Sequence, residues 1–235
     1  MLMERWHPVT GDLGLIRAPV ATCVSSYSEW QAGIGCPHNA RPVSASLAEA
    51  LDLLPPLSME YRRKLFVPTA ATDWTAFFQS GIAGSDPTPV MSVLSSRLGT
   101  LAMRVCSSLV SSSEPAFIWE VFAPPHLGGE PPLGYRRSIA AVKDGSRWVF
   151  EQFGTPYPFE QPEHYTKPRK RDRFTRDLLL QYVSHFGLAP LSDSFYVPST
   201  SNPAIVLEST ARWDRIPSEF TLDEVIAGNP WRRTQ

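Results

Sequence analysis

Apolar positions along this chain follow a two-residue repeat more often than a helical one. Trp74, Ala76 and Phe78 alternate with Thr75, Phe77 and Gln79. Leu101, Met103 and Val105 alternate with Ala102, Arg104 and Cys106, and Phe117, Trp119 and Val121 with Ile118, Glu120 and Phe122. Successive side chains of a strand point to opposite faces, so each run predicts a strand. In RRSIAAVKDGSRWVFEQFG, residues 136–154, two such runs flank Asp144-Gly145, a pair that tolerates the positive φ of a tight turn; the segment predicts an antiparallel hairpin. A further strand is expected at Ala204 to Ser209.

Helical signals are fewer. Ser46-Leu-Ala-Glu49 matches a capping box, in which hydroxyl and carboxylate satisfy backbone donors at a helix start, and the helix should stop near Pro55. DRFTRDLLLQYVSHFG, residues 172–187, places Phe174, Leu178, Val183 and Phe186 near helical spacing, with Asp172 as N-cap and Gly187 at the stop. Short helices are expected at Ser58 to Leu65 and Leu222 to Ala227. The first 45 or so residues read as short strands and loops punctuated by Pro and Gly. A meander in the middle with helices between and after its strands predicts an α+β fold, a mainly antiparallel sheet of about five to seven strands with flanking helices and many Pro-rich loops. No repeat or linker divides the chain, so residues 1–235 are expected to form a single globular domain.

Composition sharpens this picture in three places. The 43% hydrophobic and 19% charged content suits a globular core, while 23 prolines against 14 glycines favour short elements and rigid loops. A formal net charge of −1 gives no global field toward nucleic acid or an anionic membrane, so any such binding must come from a local patch. The start, MLMERWHPVTGD, has no basic segment followed by an apolar run, and no apolar stretch approaches the length of a membrane span. Cys23, Cys36 and Cys106 are odd in number and lack a short paired spacing. Together these features predict a soluble cytoplasmic protein with free thiols.

Candidate chemistry is sparse. In WTAFFQSGIAGSDPTPVMSVLSSRLG, residues 74–99, a glycine loop opens into a helix, with Asp86 or Thr88 as cap. GIAGSD matches neither the phosphate-cradling GxxxxGK loop nor the dinucleotide GxGxxG, so it reads as a strand-turn-helix connection. Cys36-Pro-His38 with Cys23 and His7 shows no zinc-ligand spacing, no GxSxG elbow is present, and no cofactor is expected. The clearest feature is KPRKRDRFTR, with Lys167, Arg169, Lys170, Arg171, Arg173 and Arg176 against one internal acid. Its guanidinium forks suit an acidic protein surface, and the bland alternative pairs its charges with Glu160, Glu163, Asp172 and Asp177. Tyr157, Phe159, Tyr165 and Phe174 nearby would either stack bases or fill the core. Tryptophan and arginine also dominate protein interfaces, which adds Trp231 and Arg232 of the tail NPWRRTQ to the candidate binding residues.

The resulting expectation is a bacterial-looking protein-binding module, specifically an immunity-type inhibitor of a toxic enzyme, whose partner presents an acidic surface. Two alternatives remain. One is an enzyme acting on a phosphorylated or nucleotide-like small molecule, with Arg136, Arg137 or the basic run as anion clamp and Glu120 as acid–base group. The other is an RNA-binding accessory protein.

Overall fold

The computed structural model describes residues 2–44, 46–109, 112, 114–211 and 218–228. Nine strands form one antiparallel sheet: β1 (Asp12–Ile16), β2 (His38–Val43), β3 (Arg63–Pro68), β4 (Thr75–Gln79), β5 (Ala102–Ser107), β6 (Ala116–Phe122), β7 (Tyr135–Asp144), β8 (Arg147–Phe153) and β9 (Ala204–Ser209). They lie in the order β2-β9-β3-β4-β1-β5-β6-β7-β8. The helices are α1 (Leu2–Arg5), α2 (Val20–Gly33), α3 (Leu47–Leu51), α4 (Thr88–Leu98), α5 (Arg176–Ser184) and α6 (Leu222–Ile226). The fold is α+β with an antiparallel sheet, wider than the five to seven strands expected. Among the described residues no helix is long and apolar enough to cross a membrane.

Alternation along the strands builds two cores. Leu13, Leu15, Leu65, Phe78, Met103, Val105, Trp119, Val121 and Ile139 face α3, α5 and α6. Ile16, Phe66, Phe77, Ala102, Phe122 and Leu207 face α2 and α4. The central strands β1 and β4 are buried on both faces. At Gly14 the absent side chain admits Met91 of α4, whose thioether sits where a Cβ would stand.

Local signals explain most helix ends. Ser46 and Glu49 form the expected capping box, and Thr221 with Glu224 forms a second. Three expectations need correction. Residues 58–65 contain no helix: Ser58 bonds to the backbone of Ser80, and Arg63 already begins β3. The first 45 residues hold the fourteen-residue α2, whose buried side contains Val20, Cys23, Ser26 and Tyr27 and therefore shows little apolar stripe. The helix read from residue 172 starts later. Thr175, not Asp172, caps α5 by accepting from the Leu178 amide, and Lys170–Asp172 form a separate 3-10 turn.

The expected β7–β8 hairpin forms, but its turn lies one residue later than the Asp144-Gly145 pair: Asp144 still pairs with Arg147, and Gly145-Ser146 are the two central residues, with Gly145 at φ 56°. Positive φ at the first central position alone is the requirement of a type II′ turn.

Candidate functional site

The basic segment lies on the α5 face of the sheet, over β7 and β8, and is held from beneath by a buried ion pair. Arg137 on β7 is fully buried. Its Nε and Nη2 donate to Glu160 at 2.9 and 2.6 Å, its Nη1 donates to the carbonyls of Phe153 and Gly154 at 3.0 Å, and its Nη2 also donates to Gln152 Oε1 at 2.9 Å. Glu160 in turn accepts from the Tyr157 amide at 2.8 Å and from the Tyr165 hydroxyl at 2.7 Å. Every charge in this network has a partner, which is the condition under which a buried ion pair is tolerated and locks local geometry.

Above that anchor, the six cations of the segment divide by direction. Arg173 donates to the Lys167 carbonyl at 2.7 Å and lies over the Phe150 ring at 5.6 Å. Lys167 Nζ is 2.8 Å from His164 Nδ1. Arg176 is half-buried in the first turn of α5. Arg169, Lys170 and Arg171 are exposed around the 3-10 turn. Of the acids expected to neutralise the run, Glu160 is committed to Arg137. Asp172 forms the one ion pair recorded for the segment among the described residues, at 3.5 Å from Arg171.

Aromatic side chains next to the segment are engaged in packing. Tyr165 and Phe174 are buried. Tyr157 stacks on Phe159 at 5.2 Å, and Phe159 stacks on His185 at 4.3 Å. Trp231 and Arg232 lie outside the described residues.

A second polar centre sits at the head of α4, on the opposite face. Arg104 on β5 forks onto Asp12 of β1, with Nε to Oδ1 at 3.0 Å and Nη2 to Oδ2 at 2.6 Å. Its Nη1 donates to Thr88 Oγ1 at 3.1 Å and lies 3.6 Å from Glu120. Thr88 and Tyr135 both donate to Glu120, at 3.0 and 3.3 Å. Burial pushes the Asp12 carboxyl up to about 6, although Arg104 works against the shift. Burial disfavours the Arg104 cation, yet the hydrogen bonds and charge of Asp12, with the charge of Glu120, hold its pKa above the ordinary value.

Asp12 borders a cleft of about 610 Å³ that Glu4, His7, Cys106, Ile82, Glu114 and other residues also line. Burial pushes the Cys106 thiol up, away from thiolate chemistry, and lowers His7.

The glycine loop of residues 80–87 borders this centre as a connection, in the sense the sequence suggested. A Cβ at Gly81 would overlap the Gly84 carbonyl oxygen and the Tyr61 ring, and Gly84 has φ +90°. Asp86 Oδ1 accepts from the Thr88 amide at 3.2 Å, so a carboxylate already occupies the helix start. Carboxylates at the helix start and along the cleft disfavour a phosphate there.

Of the expected enzyme set, with Arg136, Arg137 or the basic run as anion clamp and Glu120 as acid–base group, Arg137 and Glu120 do not converge. Glu120 faces α4, whereas Arg137 pairs in register with Val121 and faces α5, so the sheet separates them. Among the described residues no group of three or more His, Cys, Asp or Glu is placed to hold a metal ion.

One unusual site was missed in the sequence. Lys64 on β3 is only 7% exposed, and its Nζ lies 3.2 Å from His38 Nε2, with no carboxylate ion-paired to it among the described residues. Burial lowers Lys64 to about 8, and burial together with the Lys64 charge lowers His38 to about 4. The available signal was parity: in RKLFVP, Lys64 shares a face with the buried Phe66.

Comparison of the chain with protein-family models, curated proteins and solved structures finds no match.

Proposed function

We propose that this chain is a soluble protein-binding module whose basic segment docks on an acidic partner surface, in the manner of an immunity-type inhibitor covering a toxic enzyme. The observation that carries the reading is the trio Arg169, Lys170 and Arg171, exposed on one turn whose flanks are tied down by Arg173, Phe150 and the Arg137–Glu160 pair. Cations presented on a fixed backbone lose less freedom on binding than cations on a loose tail, and a cluster in which a single acid, Asp172, opposes three cations keeps a net positive charge that accelerates encounter with an opposite charge. Protein is favoured over RNA because the neighbouring rings are committed to packing rather than offered for base stacking. It is favoured over a phosphorylated small molecule because the cleft beside Asp12 is lined by the carboxylates of Glu4, Asp12 and Glu114. The free thiols of Cys23, Cys36 and Cys106 accord with a reducing compartment, which makes the cytoplasm the proposed location.

The test compares tagged wild-type protein with a variant carrying Arg169→Glu, Lys170→Glu and Arg171→Glu, each incubated in nuclease-treated native lysate. A stoichiometric protein retained by the wild type and lost by the variant is expected. Its association rate should drop by roughly tenfold or more on charge reversal and should fall steeply with salt in the wild type alone. Equal retention and unchanged kinetics would overturn the reading.

A further inference from the structure

The two edges of the sheet are guarded unequally. β2 at one edge carries Arg41 and Pro42, and proline removes a ladder donor. β8 at the other edge is seven residues long and has no proline, and among the described residues no strand or isolated bridge pairs with its outer side. The adjoining α4-facing surface is also incompletely covered. Ile118, Ala140, Val142 and Val149 are only half-buried there, because α4 packs on β1, β5 and β6 instead.

The sequence of this open edge is complementary to itself. Arg147-Trp148-Val149-Phe150-Glu151 reads cation, aromatic, β-branched, aromatic, anion. In an antiparallel pair of two copies centred on Val149, Arg147 stands opposite Glu151 of the second copy. Trp148 then stands opposite Phe150, Val149 opposite itself, and each relation occurs twice by symmetry except the central one. Centring the pair on Phe150 instead would set Val149 against Glu151 and leave both charges unmatched. Charged side chains ordinarily protect an edge by repulsion, but here their spacing and opposite sign make two copies attract.

The backbone accepts the same register. A two-residue hairpin closes on a hydrogen-bonded pair, here Asp144 and Arg147, so Arg147, Val149 and Glu151 turn their amide groups inward to β7. Trp148, Phe150 and Gln152 turn theirs outward. With Val149 at the centre, Trp148 and Phe150 form the hydrogen-bonded pair across the new junction. Arg147 and Glu151 occupy the non-hydrogen-bonded position, where opposed side chains come closest. Arg147 and Glu151 are both exposed and form no ion pair among the described residues, so neither leaves such a partner to join the second copy. Phe153, 46% exposed, would lie across from Gly145 of the second copy, where no side chain stands.

We propose that β8 is a self-pairing edge through which two copies of this chain join their nine-stranded sheets into one continuous sheet, in the register that sets Arg147 against Glu151. The two-fold axis runs perpendicular to the sheet, so both basic segments fall on the same side of the joined sheet. The self-pairing stands independently of what those segments bind.

Sedimentation velocity and light scattering from about 1 to about 300 μM should show a concentration-dependent monomer–dimer equilibrium. Glu151→Arg places two cations opposite each other in both symmetry-related pairs and should weaken the dimer by about tenfold or more. Combining it with Arg147→Glu restores opposite charges and should restore the dimer, an outcome that a general effect on folding would not produce. Val149→Cys should cross-link to itself under mild oxidation, whereas Arg147→Cys should not. Far-UV circular dichroism on each variant confirms that the fold is retained, as expected for substitutions on the exposed face of an edge strand. A chain monomeric throughout the range overturns the proposal, as does a dimer indifferent to Glu151→Arg or one in which Val149→Cys fails to cross-link.

Discussion

Replacing Glu160 by glutamine removes a charge from the Arg137 network with little change in shape. Arg137 would keep its bonds to the Phe153 and Gly154 carbonyls and to Gln152, but its guanidinium would be left without a carboxylate in a site sealed from water. Breaking one partner of a buried pair costs about 3–5 kcal/mol, because the surviving charge stays desolvated. For a chain of this size 1 kcal/mol corresponds to roughly 2–4 °C in Tm, so Glu160→Gln should lower Tm by about 6–20 °C. Chemical denaturation should report the same loss, and limited trypsin digestion should accelerate at Arg169, Lys170 and Arg171 as the covering segment loosens. Arg137→Met in the Glu160→Gln background should recover much of the loss, since it removes the stranded cation. A Glu160→Gln cost below about 1 kcal/mol, or a double variant as unstable as the sum of both singles, would refute the claim that this pair anchors the basic segment.

Two further tests address parts of the fold away from that anchor. Lys64 is held near 8 by burial, below its unfolded value, so the unfolded chain binds more protons from about pH 8 to 10.5 and stability should rise through that window; the penalty is fully present below it. Lys64→Met should therefore stabilise the protein at pH 7 by an amount on the order of 2 kcal/mol, and the difference between wild-type and variant unfolding curves should vanish as pH approaches 10.5. Gly81→Ala should cost about 2 kcal/mol or more in urea unfolding, because its Cβ meets a backbone oxygen that cannot swing away; a neutral effect would refute a tight approach of Gly81 to the Gly84 carbonyl.

The basic run illustrates how a composition signal is divided by structure. Six cations in ten residues read as one cluster, and their presence near a helix was legible. Their division was not: Arg173 turns inward to a carbonyl and a ring, whereas Arg169 to Arg171 face solvent. That outcome depends on Phe150 and Glu160 arriving beneath the segment, and Glu160 is held by Arg137 from a strand 23 positions earlier. The same distance hid the Asp12, Arg104 and Glu120 row, whose members come from three strands brought together only by sheet order.

Local chemistry determined the hairpin that turns at Gly145, the capping box at Ser46, the alternation of β4 to β8 and the α+β class, because each depends on neighbours within a few residues. Tertiary structure alone decided that β9 inserts between β2 and β3, that Val20 to Gly33 is a helix despite its small and polar buried side, and which charges are sealed in pairs. Those outcomes depend on contacts between distant segments, where burial against Phe66 and Phe77 outweighs the weak local preference of α2 and sheet register assigns every strand side chain to one face or the other.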